Sequence, residues 1–489
     1  MNLIGRRITR YEAALLLIVL LGTFLRLYHI GAQSLGVDDT YSVWISKLSL
    51  HDIVQLTAAA DVHPPLYYVL LHYWMAFLGT SELAIKLLSI IFGVLSIVVA
   101  YALGRRLLDV RAGLFCAFIL AISAFNIRYS QEARMYSLLL LFTLLSMYFF
   151  IRLTQRGTPL TWAGYVISTT LLLYTHVYGL FVLVAQNLCV VSLLILTREH
   201  AVRLRHWVML QAVVIALFAP WIGVLIRQAS ALNGYWIPLP TLGTVLNTLT
   251  NYAGGTLLLA IFLMLSLLSL VSFSKRNAPT SLTGPLKALG GYFQRMRATN
   301  VQASYILIVW LITLTFVPFA ISLFLKPIYV DRYTIGASVA LYLLAAKGVF
   351  NIHRRTVQVA VIVVIVALSA VNVQAYLSNQ LNEGWAKEAW VQSRETFGVV
   401  NQNGRSGDLI ILYPQFLWSV NRYYDKVGGI NATFPSTGSG AASDRVWFIA
   451  YNYPGPVEQQ TLNDLNKTHS VTYAHSFAGY QIYLFEKHV

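Results

Sequence analysis

The sequence is poor in charged residues, in acidic residues and in cysteine. Only 11% of its 489 residues are charged, whereas an ordinary soluble protein has about 25%. This shortage excludes a soluble globular enzyme, a disordered chain and a fibrous repeat. The two cysteines, Cys116 and Cys189, lie in apolar runs and exclude a disulfide scaffold or a cysteine-based metal cluster. What the chain has instead is hydrophobic sequence, 57% of all residues, which predicts a polytopic α-helical membrane protein.

Eleven apolar runs approach or reach the length of about 20 residues that a membrane-spanning helix needs. They lie near residues 12–30, 83–103, 110–126, 134–151, 159–175, 179–196, 207–226, 251–273, 303–325, 331–346 and 356–376. The shorter apolar run at 66–79 predicts an interfacial or re-entrant helix rather than a span. The first run follows a basic stub but lacks a small-residue cleavage site after it, so we predict a retained helix rather than a signal peptide.

Basic residues gather in alternate connections between these runs. The clusters are Arg6, Arg7 and Arg10; Arg105, Arg106 and Arg111; Arg152 and Arg156; Arg198, Arg203 and Arg205; Lys275, Arg276, Lys287, Arg295 and Arg297; and Lys347, Arg354 and Arg355. The positive-inside rule then places the N-terminus in the cytoplasm and the connection at 31–82 outside. The net charge of +16 therefore indicates membrane orientation and not nucleic-acid binding, for which basic residues gather on a soluble surface.

The composition predicts two domains. Residues 1–376 form the transmembrane module, which includes the outer loop 31–82 with interfacial helices. Residues 377–489 have fewer hydrophobic residues and more glycine, asparagine and serine, and an odd number of spans places them outside the cell. We predict a soluble extracytoplasmic α/β domain there, with strands at 408–413, 445–451 and 480–486 and a helix near 385–400.

Two adjacent carboxylates, Asp38 and Asp39, follow the first span. At a membrane surface the two carboxylates lose hydration and repel each other. One of them should therefore have a raised pKa or be paired with a cation. That environment suits a general base, and the alternative is a pair of solvated loop acids. Further along the same loop, in DVHPPLYY (residues 61–68), two prolines fix the backbone beside His63. The alternative there is a helix-entry turn with an incidental histidine.

Three later connections on the same side also carry charge. In RYSQEARMY (128–136), helical spacing places Arg128 and Glu132 on one face, and Glu132 and Tyr136 on one face. This group is either an internal ion pair or a cationic site for phosphate. YTHVY (174–178) holds His176, which is either structural or functional, and KPIYVDRY (326–333) holds Arg332, which is either an interfacial anchor or functional.

These charged residues share one predicted side of the membrane, although other residues determine that topology. They are Asp38, His63, Arg128, Glu132, Arg134, His176, Lys326 and Arg332. Ionisable groups at membrane depth are costly and tend to line a functional cavity. We predict one external, membrane-level cavity for an anionic headgroup whose apolar tail stays in the lipid.

The motifs resemble those of the GT-C membrane glycosyltransferases, especially the branch related to protein O-mannosyltransferases and the lipid A aminoarabinose transferase. The resemblance covers roughly residues 10–350. It rests on VDDTYS (37–42), DVHPPLYY (61–68), YSQEARMY (129–136), YTHVYG (174–179), APW (219–221) and DRY (331–333). The family usually has Asp-Glu where this chain has Asp38 followed by Asp39.

The resemblance implies an inverting glycosyltransferase in which Asp38 is the general base. The donor would be a sugar linked to a polyprenyl phosphate, and mannose is one candidate for that sugar. The acceptor would be a hydroxyl of a glycan, lipid or protein. The implied phosphate-binding residues are Arg134, Arg332, Lys326, His63 and Tyr67, and the second carboxylates are Asp39 and Glu132. Candidate sugar or acceptor contacts are Tyr136, His176 and Tyr178. Tyr235 and Trp236 are further candidates in the loop 234–240, whose aromatic residues and prolines are otherwise typical of an anchor at the membrane interface. Some relatives use a divalent metal, for which the candidate ligands are Asp38, Asp39, Glu132 and His63.

Two other functions compete with this prediction. A transporter or flippase for a lipid-linked or anionic substrate typically shows inverted repeats and charges at the membrane midplane. Here the charges lie mainly near one surface and no repeat is evident. A non-catalytic receptor would leave the clustered charges unexplained. We therefore expect a transferase in a membrane, most simply the bacterial inner membrane, with no nucleic-acid partner.

Overall fold

The structure, a computed structural model, describes residues 9–155, 157–197, 204–231, 237–270, 299–381, 390–427, 429–435, 442–451 and 455–488. Within these ranges the chain is helical up to residue 377 and then forms a small domain around a β-sheet. The helices of the first part are α1 (Arg10–Leu27), α2 (Val37–Ser46), α3 (Leu50–Ala59), α4 (Leu66–Leu78), α5 (Glu82–Leu107), α6 (Val110–Ile122), α7 (Ala124–Ser130), α8 (Tyr136–Gln155), α9 (Pro159–Thr175), α10 (Gly179–Thr197), α11 (Leu204–Ala231), α12 (Leu242–Ala253), α13 (Thr256–Leu270), α14 (Thr299–Phe324), α15 (Ala337–Asn351) and α16 (Arg355–Leu377).

Each of the eleven predicted apolar runs contains an α-helix, although Ser123 interrupts one run and Gly254 and Gly255 interrupt another. Six helices are long and apolar enough to cross a membrane, namely α1, α5, α8, α11, α14 and α16. Two bent pairs, α6 with α7 and α12 with α13, bring the number to eight if each pair is one span. The remaining three predicted spans form shorter helices, α9, α10 and α15, and the predicted interfacial helix at 66–79 is α4. The structure is therefore that of a polytopic α-helical membrane protein.

Close helix packing in the first part depends on small residues. Gly104 on α5 faces Gly113 on α6, and a Cβ on Gly104 would lie 2.8 Å from the Cα of Gly113. Glycine at both positions lets the two backbones approach, as is usual for helices in a membrane.

The α6–α7 pair bends by 63°. A buried arginine of α1, Arg26, lies at this bend and binds the carbonyl oxygens there. Its Nη1 donates to the carbonyl oxygens of Gly22 and Ala121 at 3.0 and 3.1 Å, and its Nη2 to that of Leu120 at 3.2 Å. Its Nε donates to Ser130 Oγ at the end of α7. Arg26 thus satisfies carbonyl groups that the end of α6 leaves without helical partners.

The C-terminal domain contains five strands and, within the described residues, three α-helices. These are α17 (Ser393–Asn403), β1 (Leu409–Tyr413), α18 (Trp418–Tyr424), β2 (Asn431–Thr433), β3 (Arg445–Tyr451), α19 (Pro456–Asn466), β4 (His469–Phe477) and β5 (Tyr480–Lys487). The sheet order is β2-β1-β3-β5-β4. β1 pairs in parallel with β2 and β3, and β5 pairs antiparallel with β3 and β4.

The sequence predicted β1, β3 and β5 within one or two residues. It missed β2 and β4, because β4 is largely exposed and polar and so lacks an apolar run. It also missed α19. The helix predicted near 385–400 begins at Ser393 and continues to Asn403, and the first part of the predicted range lies outside the described residues.

The C-terminal domain packs directly on the loop 31–82. The backbone N–H of Leu35 donates to the hydroxyl of Tyr424 at 2.7 Å, and Arg394 binds both carboxylate oxygens of Glu82 at 2.8 and 2.5 Å. The indole rings of Trp44 and Trp418 meet edge to face with centroids 4.7 Å apart. These contacts fix helix α2, and with it the two adjacent aspartates, against the sheet domain.

Candidate active site

Asp39 is a structural residue of the loop. Its Oδ2 accepts the backbone N–H of Gly36 at 2.8 Å and so caps the start of α2. Its Oδ1 accepts the backbone N–H of Ala133 at 2.6 Å and so holds the connection between α7 and α8 against α2. Burial raises the pKa of Asp39, although nearby Lys86 and Arg128 act in the opposite direction. Both carboxylate oxygens are therefore hydrogen-bonded to backbone donors.

Asp38, one residue earlier, has a different environment. Its carboxylate accepts no hydrogen bond from any residue in the described part of the chain, and its side chain stays partly exposed. Burial acts to raise its pKa, but the positive charges of Arg134 and Arg332, with His63, outweigh burial and lower it. Asp38 is thus an ionised carboxylate with oxygen lone pairs free to accept a proton, and the charges of two guanidinium groups act on it.

Arg134 is held in place by a chain of hydrogen bonds. Its Nη1 donates to Tyr68 at 3.1 Å and to Ser42 Oγ at 3.3 Å. The Tyr68 hydroxyl in turn donates to Asp61 Oδ2 at 2.6 Å. Arg134 is buried, and its Nε has no hydrogen-bond partner among the described residues. This arrangement leaves part of a buried guanidinium available to an anionic ligand.

Arg332 comes from a part of the chain about 200 residues after Arg134. It lies in a short 3₁₀ helix (Asp331–Thr334), and its Nε donates to the hydroxyl of Tyr136 at 3.0 Å. Its guanidinium carbon also lies 5.8 Å from the ring centroid of Tyr136 and 5.6 Å from that of Tyr333. The sequence placed Arg332 in a span near 331–346, but the α-helix α15 begins only at Ala337.

Two predicted site histidines come together beside these arginines. The rings of His63 and His176 lie 5.1 Å apart, and Tyr333 contacts both of them. His63 Nδ1 lies 2.8 Å from Asp61 Oδ1. Burial, and then His63 and Arg134, lower the pKa of His176 well below its ordinary value, so its ring is neutral.

Arg128 and Glu132 form an ion pair, which was one of the two alternatives predicted for this group. Arg128 Nη1 lies 3.2 Å from Glu132 Oε2, and both side chains are buried. Burial raises the pKa of Glu132 to about 7, although Arg128 opposes this. The expectation that Glu132 and Tyr136 share a helix face was wrong, because residues 131–135 are not helical and α8 starts at Tyr136.

Other predicted residues lie at the edge of this group. Ser89 Oγ donates to the carbonyl oxygen of Arg134 at 3.2 Å, so the Tyr67 hydroxyl donates to Ser89 Oγ at 2.9 Å and contacts that arginine only through Ser89. The Tyr178 hydroxyl donates to the carbonyl of Ile328 at 2.5 Å. Lys326 Nζ donates to the carbonyl oxygen of Ala229 at 3.3 Å. Tyr235 and Trp236 lie outside the described residues.

The sequence did not single out Asp61 and Tyr68 as site residues. Asp61 accepts from His63 Nδ1, from the backbone N–H of His63 at 3.1 Å and from Tyr68, so it orients both His63 and Arg134. Burial acts to raise the pKa of Asp61, but contact with His63 outweighs it and lowers the pKa. The motif did contain a signal, because an aspartate side chain in a turn commonly accepts the backbone N–H two residues on, as Asp61 does from His63.

The predicted metal ligands do not converge. Asp39 accepts backbone N–H groups, Glu132 pairs with Arg128, and His63 binds Asp61. The described residues contain no group of three or more His, Cys, Asp or Glu side chains that could hold a metal ion. These residues do not fit a metal centre as they stand, and we derive no step through one.

Part of this site lies in a segment that matches a known family model. Residues 62–223 match the family model described as dolichyl-phosphate-mannose-protein mannosyltransferase. The matched range contains His63, Arg134 and His176, whereas Asp38 and Arg332 lie outside it. No curated protein matches the sequence.

Solved structures share the fold over almost the whole chain. ArnT from Cupriavidus metallidurans in the apo state matches with a TM-score of 0.61 at 12% identity, covering 97% of both chains. ArnT bound to undecaprenyl phosphate gives 0.59 at 11% identity, covering 96% of this chain and 98% of that one. The archaeal oligosaccharyltransferase AglB from Archaeoglobus fulgidus, in complex with an inhibitory peptide and a dolichol-phosphate, gives 0.52 at 12% identity, covering 97% and 74%.

The matched family and folds are those of glycosyltransferases, which favours a transferase over a transporter. They agree with the resemblance that the motifs indicated. The chain is an integral membrane protein with the fold of the GT-C glycosyltransferases, and its residues 62–223 carry the sequence features of the dolichyl-phosphate-mannose-protein mannosyltransferase family model.

Proposed function

We propose that this protein is an inverting glycosyltransferase that moves a sugar from a polyprenyl-phosphate donor to an acceptor hydroxyl. The observation that carries the proposal is the position of Asp38, an ionised carboxylate without a hydrogen-bond partner in the described residues, next to the charges of Arg134 and Arg332. A base beside two cations matches the needs of a reaction that takes up a proton and releases an anion.

In the proposed reaction, Asp38 accepts the proton of the acceptor hydroxyl as its oxygen attacks the anomeric carbon. The new glycosidic bond forms on the face opposite the departing group, so the configuration at that carbon inverts. The bond between the anomeric carbon and the phosphate oxygen breaks, and polyprenyl phosphate leaves with one more negative charge. General-base catalysis of this kind contributes about 10²–10⁴ in rate.

Arg134 and Arg332 would bind the lipid phosphate. Negative charge on that phosphate grows as the bond breaks, so fixed cations stabilise the transition state more than the bound donor. Hydrogen bonds to Tyr68 and Tyr136 hold the two guanidinium groups before any substrate arrives. Tyr67 would act indirectly through Ser89, and Lys326, in the loop that leads to Arg332, is a further candidate cation.

The proposed topology has eleven spans, with the N-terminus in the cytoplasm. Residues 1–376 would be the catalytic membrane module and residues 377–489 an extracytoplasmic domain. The basic clusters in alternate connections support this orientation through the positive-inside rule. It would place Asp38 and the sheet domain on the outer side of what we propose to be a bacterial inner membrane.

The donor and acceptor classes are inferred from the similar proteins. The ArnT structure with undecaprenyl phosphate and the AglB structure with dolichol-phosphate support a polyprenyl-phosphate donor. The family model names mannose and protein, so we propose mannose as the first sugar to test. The acceptor would be a hydroxyl of a glycan, a lipid or a protein.

The test is Asp38→Asn in proteoliposomes loaded with polyprenyl-phosphate mannose and a membrane extract as acceptor. Release of the lipid phosphate is measured, since every acceptor yields that product. We expect release to fall about 100-fold or more, while binding of bare polyprenyl phosphate persists. Asp52→Asn, an exposed aspartate in the same outer loop, is the matched control. Full transfer by Asp38→Asn would refute the mechanism.

A further inference from the structure

Arg332, one of the two proposed phosphate ligands, lies in a segment with little regular structure. The preceding residues 326–330 form neither helix nor strand, and the 3₁₀ helix Asp331–Thr334 has no side-chain cap at its N-terminus. The hydrogen bond from Arg332 Nε to Tyr136 orients the guanidinium group, but it does not hold the backbone from which that side chain extends. Other contacts must therefore fix the backbone and, with it, the position of the charge.

Asp331 makes these contacts. Its Oδ1 accepts the backbone N–H of Arg332 at 2.7 Å, and its Oδ2 accepts the side-chain amide of Asn251 at 3.0 Å. Its carbonyl oxygen accepts the hydroxyl of Tyr252 at 3.3 Å and that of Thr334 at 2.9 Å. Each oxygen of Asp331 thus has a donor, and two of these donors are consecutive residues of α12.

Asn251 and Tyr252 lie in the last turn of α12, and that turn is held by two other helices. The hydroxyl of Tyr342 on α15 donates to the carbonyl oxygen of Tyr252 at 2.7 Å, and the rings of Tyr252 and Phe125 on α7 meet edge to face with centroids 5.2 Å apart. Gly254 follows with φ +91°, a left-handed conformation that commonly ends a helix. Asn251 is therefore a donor at a fixed position.

The helix α12 has the features of a helix at a membrane surface. It has 12 residues and lies at 88° to the apolar helix α13. Leu242 and Leu246, one turn apart, are 72% and 55% exposed, whereas Val245 and Thr248 are buried against the protein. Such a pattern is typical of a helix that lies along the membrane surface, at the depth of the lipid phosphates. Asn251 thus connects the segment of Arg332 to a support at that depth.

We propose that Asn251 is a positioning residue for the transfer reaction, which acts through Asp331 to set where Arg332 meets the donor phosphate. The assignment rests on the proposed function. Asn251 acts on Asp331 and not on the substrate, and the carboxylate of Asp331 in turn holds the backbone N–H of Arg332. Placement is important because a fixed cation must face the charge that develops on the phosphate, and a displacement of about 1 Å can cost roughly 100-fold in rate.

The experiment exchanges the two side chains in the full-length protein. Asn251→Asp places a second carboxylate against Asp331, so the hydrogen bond is lost and the two charges repel each other. In the double variant Asn251→Asp with Asp331→Asn, the amide introduced at 331 donates to the carboxylate introduced at 251, and its oxygen still accepts the N–H of Arg332. The double variant therefore restores the connection with its polarity reversed.

The measurement is lipid-phosphate release in proteoliposomes as a function of the concentration of polyprenyl-phosphate mannose. We expect Asn251→Asp to lower the maximal rate about tenfold or more. The half-saturating donor concentration should change less, because a displaced cation stabilises the transition state less while the ground state loses little. The double variant should recover most of the lost rate.

Two further variants separate positioning from stability. Arg332→Ala removes the charge through which Asn251 acts, and Arg134 remains to support a residual rate. Adding Asn251→Asp to Arg332→Ala should lower that residual rate no further. Asn247→Asp, which changes an exposed asparagine one turn earlier on α12, adds the same charge and should leave the rate unchanged. If Asn251→Asp does not fold, Asn251→Ala takes its place in both comparisons.

Three results would overturn the assignment and leave the proposed function intact. They are a wild-type rate in Asn251→Asp, a loss that the double variant does not recover, and a further loss of the same size in the Arg332→Ala background. A wild type that releases no lipid phosphate would instead show that the proposed function is wrong, and the assignment with it.

Discussion

Asp38 and Asp39 are adjacent and chemically identical, yet their surroundings give them opposite pKa shifts. Asp39 accepts two backbone N–H groups and its pKa is raised, chiefly by burial. Asp38 is next to two arginines and its pKa is lowered despite burial. The difference comes from Ala133, Arg134 and Arg332, which lie far away in the sequence. Sequence alone could identify the pair as important, but not which member is structural.

Asp39→Asn should therefore destabilise the protein. The amide has one accepting oxygen, so the N–H of either Gly36 or Ala133 loses its partner, at a cost of about 1–3 kcal/mol. The measurement is thermal unfolding in detergent, with the exposed Asp52→Asn as control. An Asp39→Asn variant as stable as the wild type but inactive would contradict a structural role for Asp39.

Glu132 should make stability depend on pH. Its pKa is raised from 4.5 to about 7 because burial disfavours the charged form. Between these values the folded protein holds a proton that the unfolded chain has released, so stability falls as pH rises. We expect the melting temperature to fall from pH 5 to pH 8, and to fall less in Glu132→Gln. Some slope should remain, because the raised pKa of Asp39 acts in the same direction. Equal slopes in both proteins would contradict this assignment.

At the scale of elements, the sequence predicted apolar helices well and their interruptions poorly. Hydrophobicity is a local property, so the runs at 83–103 and 356–376 were found as α5 and α16. The 63° bend between α6 and α7 depends on Arg26, which comes from α1 and meets the bend only in the folded chain. No pattern in the sequence connects Arg26 with residues nearly a hundred positions away.

Arg26→Met should weaken this bend. The substitution retains an apolar side chain in the membrane but leaves the carbonyl groups of Leu120 and Ala121 without their guanidinium donor. Each unpaired buried carbonyl costs about 1–3 kcal/mol. We expect a lower melting temperature in detergent than in the matched variant Arg105→Met, which removes an exposed arginine near the end of α5. Equal melting temperatures would show that Arg26 does not stabilise the bend.

At the scale of the whole molecule, the C-terminal domain holds the loop that carries Asp38. Tyr424 of α18 accepts from Leu35 just before α2, and Thr40 on α2 meets Ser419 at 3.0 Å. The sequence predicted a separate α/β domain and three of its strands correctly, but gave no sign of this contact. The contact depends on polar residues from two regions that are about 380 residues apart, and neither region has a pattern that identifies its partner.

The ion pair between Arg394 and Glu82 offers a test of this coupling. A partly exposed ion pair such as Arg394 with Glu82 stabilises the folded state by about 0.5–1 kcal/mol, or roughly two- to fivefold in an equilibrium constant. Arg394→Glu removes this attraction and places two carboxylates next to each other. If docking of the sheet domain holds α2 in place, the reversal should speed limited proteolysis of the C-terminal domain and lower lipid-phosphate release together. Adding Glu82→Arg restores opposite charges, although a cation in the first turn of α5 costs about 0.3–1 kcal/mol. We therefore expect partial rescue of both measurements. Faster proteolysis with unchanged turnover would show that the C-terminal domain does not position the catalytic loop.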